Sequence, residues 1–182
     1  MSTRPTYPVE IAGIKRDLPL FEVAPGVTIA IFNILGDTLV TKAATAALAD
    51  QLVGKSADII VTAEAKSIPL AYELSALLGI PYVVLRKKYK SYMGDALKAT
   101  SVSITTGVEQ TLFLDEKDRT LIADKQVILL DDVISTGSTL TAMREIVTAA
   151  SGRIAASAAV FTEGDKDWSD VIALGNLPVF ID

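Results

Sequence analysis

Residues 127–139 read Val-Ile-Leu-Leu-Asp-Asp-Val-Ile-Ser-Thr-Gly-Ser-Thr, and the fold class follows from that order. The apolar run 127–130 is short and begins with β-branched residues, as in a strand covered on both faces of a parallel sheet. Asp131 and Asp132 then emerge at its carboxyl end, the edge at which open α/β sheets collect ligands. Ser135, Thr136, Ser138 and Thr139 offer hydroxyl donors, and Gly137 lets the backbone turn closely. Residues 139–150 read as a helix whose first amides point back into the turn, which suits an anion.

Three further apolar blocks, residues 58–61, 81–85 and 154–161, alternate with helical patterns at 42–52 and 68–78. The second of these stops at Gly79, with Pro81 just beyond. This is the rhythm of βαβ units, and right-handed crossovers put the helices on both faces of a parallel sheet. The expected fold class is therefore α/β, a parallel sheet flanked by helices on both faces. Residues 27–33 alternate like a strand, while Pro5, Pro8, Pro19 and Pro25 interrupt what precedes them. The first 40 residues are accordingly expected to form an accessory flap over the sheet. Residues 89–107 lack a sustained period and carry Gly94, Gly107 and many Ser and Thr. They are expected to form a flexible lid loop, since long internal loops are usually functional. An antiparallel hairpin between 102–104 and 111–114 is the alternative, and the two readings are compatible.

The chain has 182 residues, half of them hydrophobic, enough for a single domain over 1–182 with a substantial core. It contains neither cysteine nor histidine. Thiolate nucleophiles, iron–sulfur ligation, serine–histidine triads and imidazole bases are therefore excluded, leaving Asp, Glu, Lys and Tyr for proton transfer. The net charge of −5 argues against nucleic-acid binding through a globally basic surface. The polar, proline-bearing residues 1–8 do not resemble a signal peptide, and no run approaches the roughly 20 apolar residues of a membrane span. A cytoplasmic protein is expected.

A hydrophobic strand ending in two acids also fits a Walker B element, but the matching phosphate loop is missing. Gly54-Lys55-Ser56 supplies only its tail, and the required first glycine is Ala49. A second strand-to-helix turn, Thr62-Ala63-Glu64-Ala65-Lys66-Ser67-Ile68, offers Lys66 and the amides near Ser67 to a phosphate. The competing reading makes Glu64 and Lys66 ordinary solvated charges at a helix start. A third feature, Arg86-Lys87-Lys88-Tyr89-Lys90, concentrates positive charge at the carboxyl end of the 81–85 block. Charge runs are usually solvated faces, yet three neighbouring anion-friendly segments suit a ligand with several phosphates.

In these residues the chain resembles the type I phosphoribosyltransferases, and within them the purine-salvage branch of adenine, xanthine and hypoxanthine/guanine enzymes. The resemblance rests on residues 127–139, which look like the family's signature for phosphoribosyl diphosphate (PRPP), and extends over about 58–163. It implies that Ser135, Thr136, Gly137, Ser138 and Thr139 grip the 5′-phosphate, and that Asp131 and Asp132 face the ribose hydroxyls and magnesium-bound ligand. It further implies that Ala65, Lys66, Ser67, Arg86, Lys87, Lys88 and Lys90 meet the pyrophosphate, and that Mg²⁺ is the cofactor, held mainly through PRPP. A homodimer is expected on the same ground. Where adenine enzymes usually carry Glu-Ser/Ala-Arg-Gly-Phe, this chain has Glu64-Ala65-Lys66-Ser67-Ile68, which weakens adenine specificity. Thr105 stands where adenine-type lids often carry a glutamate, and Glu163 is a candidate base contact or else an exposed edge residue. The implied function is phosphoribosyl transfer from PRPP to adenine or an oxopurine. The alternative is a non-catalytic PRPP-sensing regulator.

Overall fold

The computed structural model describes residues 4–102 and 109–181. The strands are β1 (Thr6–Ile11), β2 (Ile14–Ala24), β3 (Val27–Ala30), β4 (Ile59–Ala63), β5 (Tyr82–Leu85), β6 (Leu97–Val102), β7 (Glu109–Leu114), β8 (Gln126–Ile134), β9 (Arg153–Glu163), β10 (Val171–Leu177) and β11 (Val179–Ile181). The helices are α1 (Thr38–Gln51), α2 (Ile68–Leu78), the single turn α3 (Arg119–Ile122) and α4 (Ser138–Ala149). A five-stranded sheet in the order β10-β9-β8-β4-β5 is parallel at every pairing. Among the described residues, no helix is long and apolar enough to cross a membrane.

Burial on both faces explains the unbroken apolar runs. Along β8, Ile128 and Leu130 join a core with Leu48 of α1 and Leu70 and Leu74 of α2. Their neighbours Val127 and Leu129 point the other way, into a core with Met143, Ile146 and Val147 of α4. This two-residue alternation is the strand period, and burying each such side chain contributes about 1.5–3 kcal/mol. The expected α/β architecture, with helices on both faces, is thus observed.

β8 is the middle strand, and its two ladders stop at different heights. Pairing with β4 ends at Thr62↔Leu130, whereas pairing with β9 continues to Ile134↔Thr162. Asp131 and Asp132 therefore stand beside the point where β4 has already turned towards α2. That notch at the carboxyl edge is where the chemistry-bearing residues collect.

Two expectations gain detail from the structure, and the rejection of a Walker A loop holds. The first 40 residues hold more regular structure than their prolines suggest, because β1, β2, β3 and the C-terminal β11 form a four-stranded antiparallel sheet. Pro8 lies within β1, at the sheet's edge, and Pro19 sits opposite Thr6 at the end of the β1–β2 ladder, where a missing N–H costs little. Much of 89–107 is ordered: residues 91–93 form a 3₁₀ turn, and β6 pairs with β7 from Leu97↔Leu114 to Val102↔Glu109. The hairpin lies further upstream than 102–104, and Thr105 falls outside the described residues. Gly54 follows α1 rather than preceding a helix, so the Walker A fragment is the end of a helix.

Candidate active site at the carboxyl edge of the sheet

The two acids of β8 are nearly buried, at 8% exposure for Asp131 and 7% for Asp132. The Asp132 amide donates to Asp131 Oδ1 over 2.9 Å. Burial first, and the adjacent Asp132 charge second, push the Asp131 carboxyl up to about 8, against the opposing pull of the Asp132 amide and Lys87. Asp132 has a cation instead: Lys66 Nζ lies 3.1 Å from its Oδ2. The same ammonium donates to the Phe32 carbonyl over 3.1 Å. Its approach to Asp132 lacks hydrogen-bond geometry, so the buried Oδ2 accepts no hydrogen bond among the described residues. A buried carboxylate oxygen in that state is a vacant acceptor.

The turn between β8 and α4 encloses a small cavity of about 90 Å³, lined by residues 133–140 and Asp131. Gly137 holds it at φ +81 as the N-cap of α4. Two of its four hydroxyls already donate elsewhere. Thr136 Oγ1 donates to Ser138 Oγ over 3.1 Å, and Thr139 Oγ1 donates to Gln110 Oε1 of β7 over 3.1 Å. Ser101 of β6 donates to the Ser138 carbonyl over 2.7 Å. The amides of Thr136, Gly137 and Thr139, by contrast, find no acceptor among the described residues. The donors without an acceptor among the described residues are thus backbone N–H groups at a helix start, together with the Ser135 and Ser138 hydroxyls.

The turn between β4 and α2 is built from charge. The Glu64–Ala65 peptide is cis. Glu64 accepts from Arg86 Nε and from the Lys87 amide, each over 2.6 Å. Burial alone would raise its carboxyl, but the Lys87 amide and the Arg86 guanidinium outweigh burial and hold it below the usual range. Ser67 is buried and donates its hydroxyl to the Ala63 carbonyl over 2.8 Å, so only its amide remains for a ligand. A cavity of about 140 Å³ joins Glu64, Ala65, Lys66, Ser67 and Lys87 to Asp131, Asp132 and Thr139.

The structure therefore brings Ala65, Lys66, Ser67 and Lys87 to the acids. It does not bring the rest of the basic run there. Arg86 is tied to Glu64 and lines a separate hollow with Tyr82 and Tyr92, while Lys88 and Lys90 line neither this hollow nor the acid cavity. Glu163 ends β9 and also lies outside both site cavities. Phe32, Gln110, Ser101, Lys166 and Trp168 were not singled out in the sequence, though each touches the site: Lys66 leans on Phe32, and Trp168 backs Gly137. Only the charged-aromatic stretch after β9 carried a local signal.

Comparison with known proteins gives the family. Residues 35–171 match the family model of the phosphoribosyl transferase domain, and the chain belongs to that family. It is 28% identical over 121 residues to the purine biosynthesis transcriptional repressor PurR of Bacillus subtilis, covering 66% of this chain and 42% of that protein. It is 38% identical over 106 residues to a hypoxanthine/guanine phosphoribosyltransferase of Methanocaldococcus vulcanius, covering 58% of this chain and 54% of that one. The chain thus spans about half the length of these relatives. The crystal structure of adenine phosphoribosyltransferase from Thermoanaerobacter pseudethanolicus shares the fold, with a TM-score of 0.69 at 20% identity, covering 94% of this chain and 95% of that one.

Proposed function

We propose that this protein is a purine phosphoribosyltransferase, moving the 5-phosphoribosyl group of PRPP to a free purine and releasing pyrophosphate. The observation that carries the reading is the buried pair Asp131 and Asp132, with an Oδ2 that accepts no hydrogen bond, between one turn of empty amides and one turn carrying Lys66. Breaking the bond from the ribose carbon to pyrophosphate leaves positive charge on the sugar and negative charge on the leaving group. Carboxylates beside the sugar stabilise the first, and Lys66, Lys87 and the amides of residues 65–67 stabilise the second. The turn after β8 takes the 5′-phosphate on its amides and so fixes the sugar between them.

Magnesium belongs to this reading. Carboxylate oxygens are the hard ligands it takes, and the buried Asp132 Oδ2, which accepts no hydrogen bond, fits one, so Asp131 and Asp132 would share the ion with oxygens of the substrate. Bound there, it would neutralise pyrophosphate charge. Free purine and PRPP as substrates go with a cytoplasmic setting. Tyr89 and Tyr92, 50% and 69% exposed beside the basic run, support the expected homodimer, which sedimentation across a concentration series would reject if only monomer appeared.

Incubation with PRPP, Mg²⁺ and, separately, adenine, hypoxanthine, guanine and xanthine is expected to yield nucleoside monophosphate with at least one base. Lys66 and Ser67 at the second turn favour an oxopurine as strongly as adenine. Absence of turnover with all four sinks the enzymatic reading. The likeness to the Bacillus repressor supports the alternative, a PRPP-sensing regulator. DNA binding that responds to PRPP, with no turnover, would decide for it.

A further inference from the structure

Against the turn after β8, the loop from β9 to β10 presents a cation and the chain's single tryptophan. Lys166 Nζ donates to the Thr136 carbonyl over 3.4 Å and lies 4.2 Å above the Trp168 ring. Trp168 covers Gly137 so closely that a Cβ there would stand 2.5 Å from the ring. Its Nε1 is buried and donates to nothing among the described residues, so the ring is held by packing, against the core on the α4 side of the sheet as well as against Gly137 and Lys166. Neither residue lines the turn's cavity.

In a planar trans peptide the carbonyl and the N–H point in opposite directions. With the Thr136 carbonyl turned to Lys166, the Gly137 N–H points away from Lys166, and Gly137 lines the cavity while Lys166 does not. We infer that Lys166 and Trp168 form a clamp that pre-orders this turn, Lys166 by fixing the 136–137 peptide and adding a positive charge behind it, Trp168 by closing the space behind Gly137. They are positioning residues for the 5′-phosphate. A turn ordered before binding spares the ligand that ordering cost, and a cation over an aromatic face keeps its own position. The inference rests on the phosphoribosyl reading above and adds residues outside the turn to it.

Trp168 being the only tryptophan, its emission follows events at the turn directly. Titration with ribose 5-phosphate is expected to change that emission in the wild-type protein. The Lys166→Gln variant is expected to weaken ribose 5-phosphate binding and raise the KM for PRPP about 5- to 10-fold, the scale of one charge-assisted hydrogen bond, with kcat within about twofold. Lys166→Arg should restore most of the affinity, and Lys166→Gln should flatten the salt dependence of the KM. Binding, KM and salt dependence all unchanged in Lys166→Gln would overturn the clamp while leaving the transferase reading intact. No turnover with any purine, together with intact Lys166-dependent binding of ribose 5-phosphate, would overturn the transferase and support the clamp. Absence of ribose 5-phosphate binding to the wild-type protein would overturn both. Circular dichroism of each variant confirms that the exposed Lys166 is not needed for folding.

Discussion

The turn after β8 and the turn after β4 leave the same edge of the same sheet and each leads into a helix, yet they offer an anion different things. The first offers unpaired backbone amides, with two of its four hydroxyls already donating, to Ser138 and to Gln110. The second offers the ammonium of Lys66 on a long side chain, already engaged with Asp132 and Phe32, with Lys87 from the end of β5 lining the same cavity. Amides are rigid, so the first turn is suited to hold one group in one position. Lysines are mobile and strongly hydrated, so the second is suited to a leaving group that must be released. The acids lie between, where a sugar would bridge a fixed anchor and a looser partner.

The largest effect expected from breaking this division is at its middle. Asp132→Asn removes the buried charge facing the developing sugar cation, and kcat should fall about 10²- to 10³-fold, the scale of losing one transition-state electrostatic contact; initial rates at saturating PRPP check it. At the rigid turn, Gly137→Ala meets both φ +81 and the Trp168 ring. It should destabilise the fold by about 1–3 kcal/mol and raise the KM for PRPP more than it lowers kcat, as urea denaturation and steady-state kinetics would register. At the charged turn, Glu64→Gln releases Arg86 and weakens the hold on the Lys87 amide. The KM for pyrophosphate in the reverse reaction should then change about 3- to 10-fold, with little effect on ribose 5-phosphate affinity. Equal changes in both would mean the two turns do not act separately.

Stability should respond to pH with opposite signs at two carboxylates. Asp131 binds its proton more tightly folded than unfolded, because burial raises its carboxyl to about 8. Its contribution is therefore fully present below about 4 and is lost as pH rises through about 8. Asp131→Asn should raise Tm by a few degrees, more at pH 8.5 than at pH 5, while lowering activity. Asp37 is the reverse case. The Arg16 guanidinium, against the opposing effect of burial and with help from the Val40 amide it caps, holds its carboxyl below the usual range. Its contribution is present above about 4 and lost on acidification. Asp37→Ala should cost about 0.5–2 kcal/mol, as the loss of a helix cap does, and a thermal melt series from about pH 3 to about pH 9.5 would reveal both trends.

How much was legible in the sequence divides along the same lines. Residues 127–139 could be read because strand, acids, glycine turn and helix start are contiguous, and each has a local cause. The fold class followed from four apolar blocks at βαβ spacing. The antiparallel sheet was missed because β11 joins β3 from the far end of the chain, and because Pro8 and Pro19 argue locally against strands that the ladder tolerates. Charges in the basic run were assigned by proximity in sequence, yet Arg86 turns to Glu64, 22 positions away, while Lys87 faces the acids. Lys166 and Trp168 escaped because their role depends on the peptide at 136–137, which they meet only once β9 lies beside β8.

The most direct measurement is a structure of the protein with PRPP bound. The account predicts the 5′-phosphate on the amides of residues 136–139, the ribose hydroxyls at Asp131 and Asp132, and the pyrophosphate beside residues 65–67 and Lys87. A pyrophosphate in the turn after β8, or PRPP bound away from Asp131 and Asp132, would contradict it.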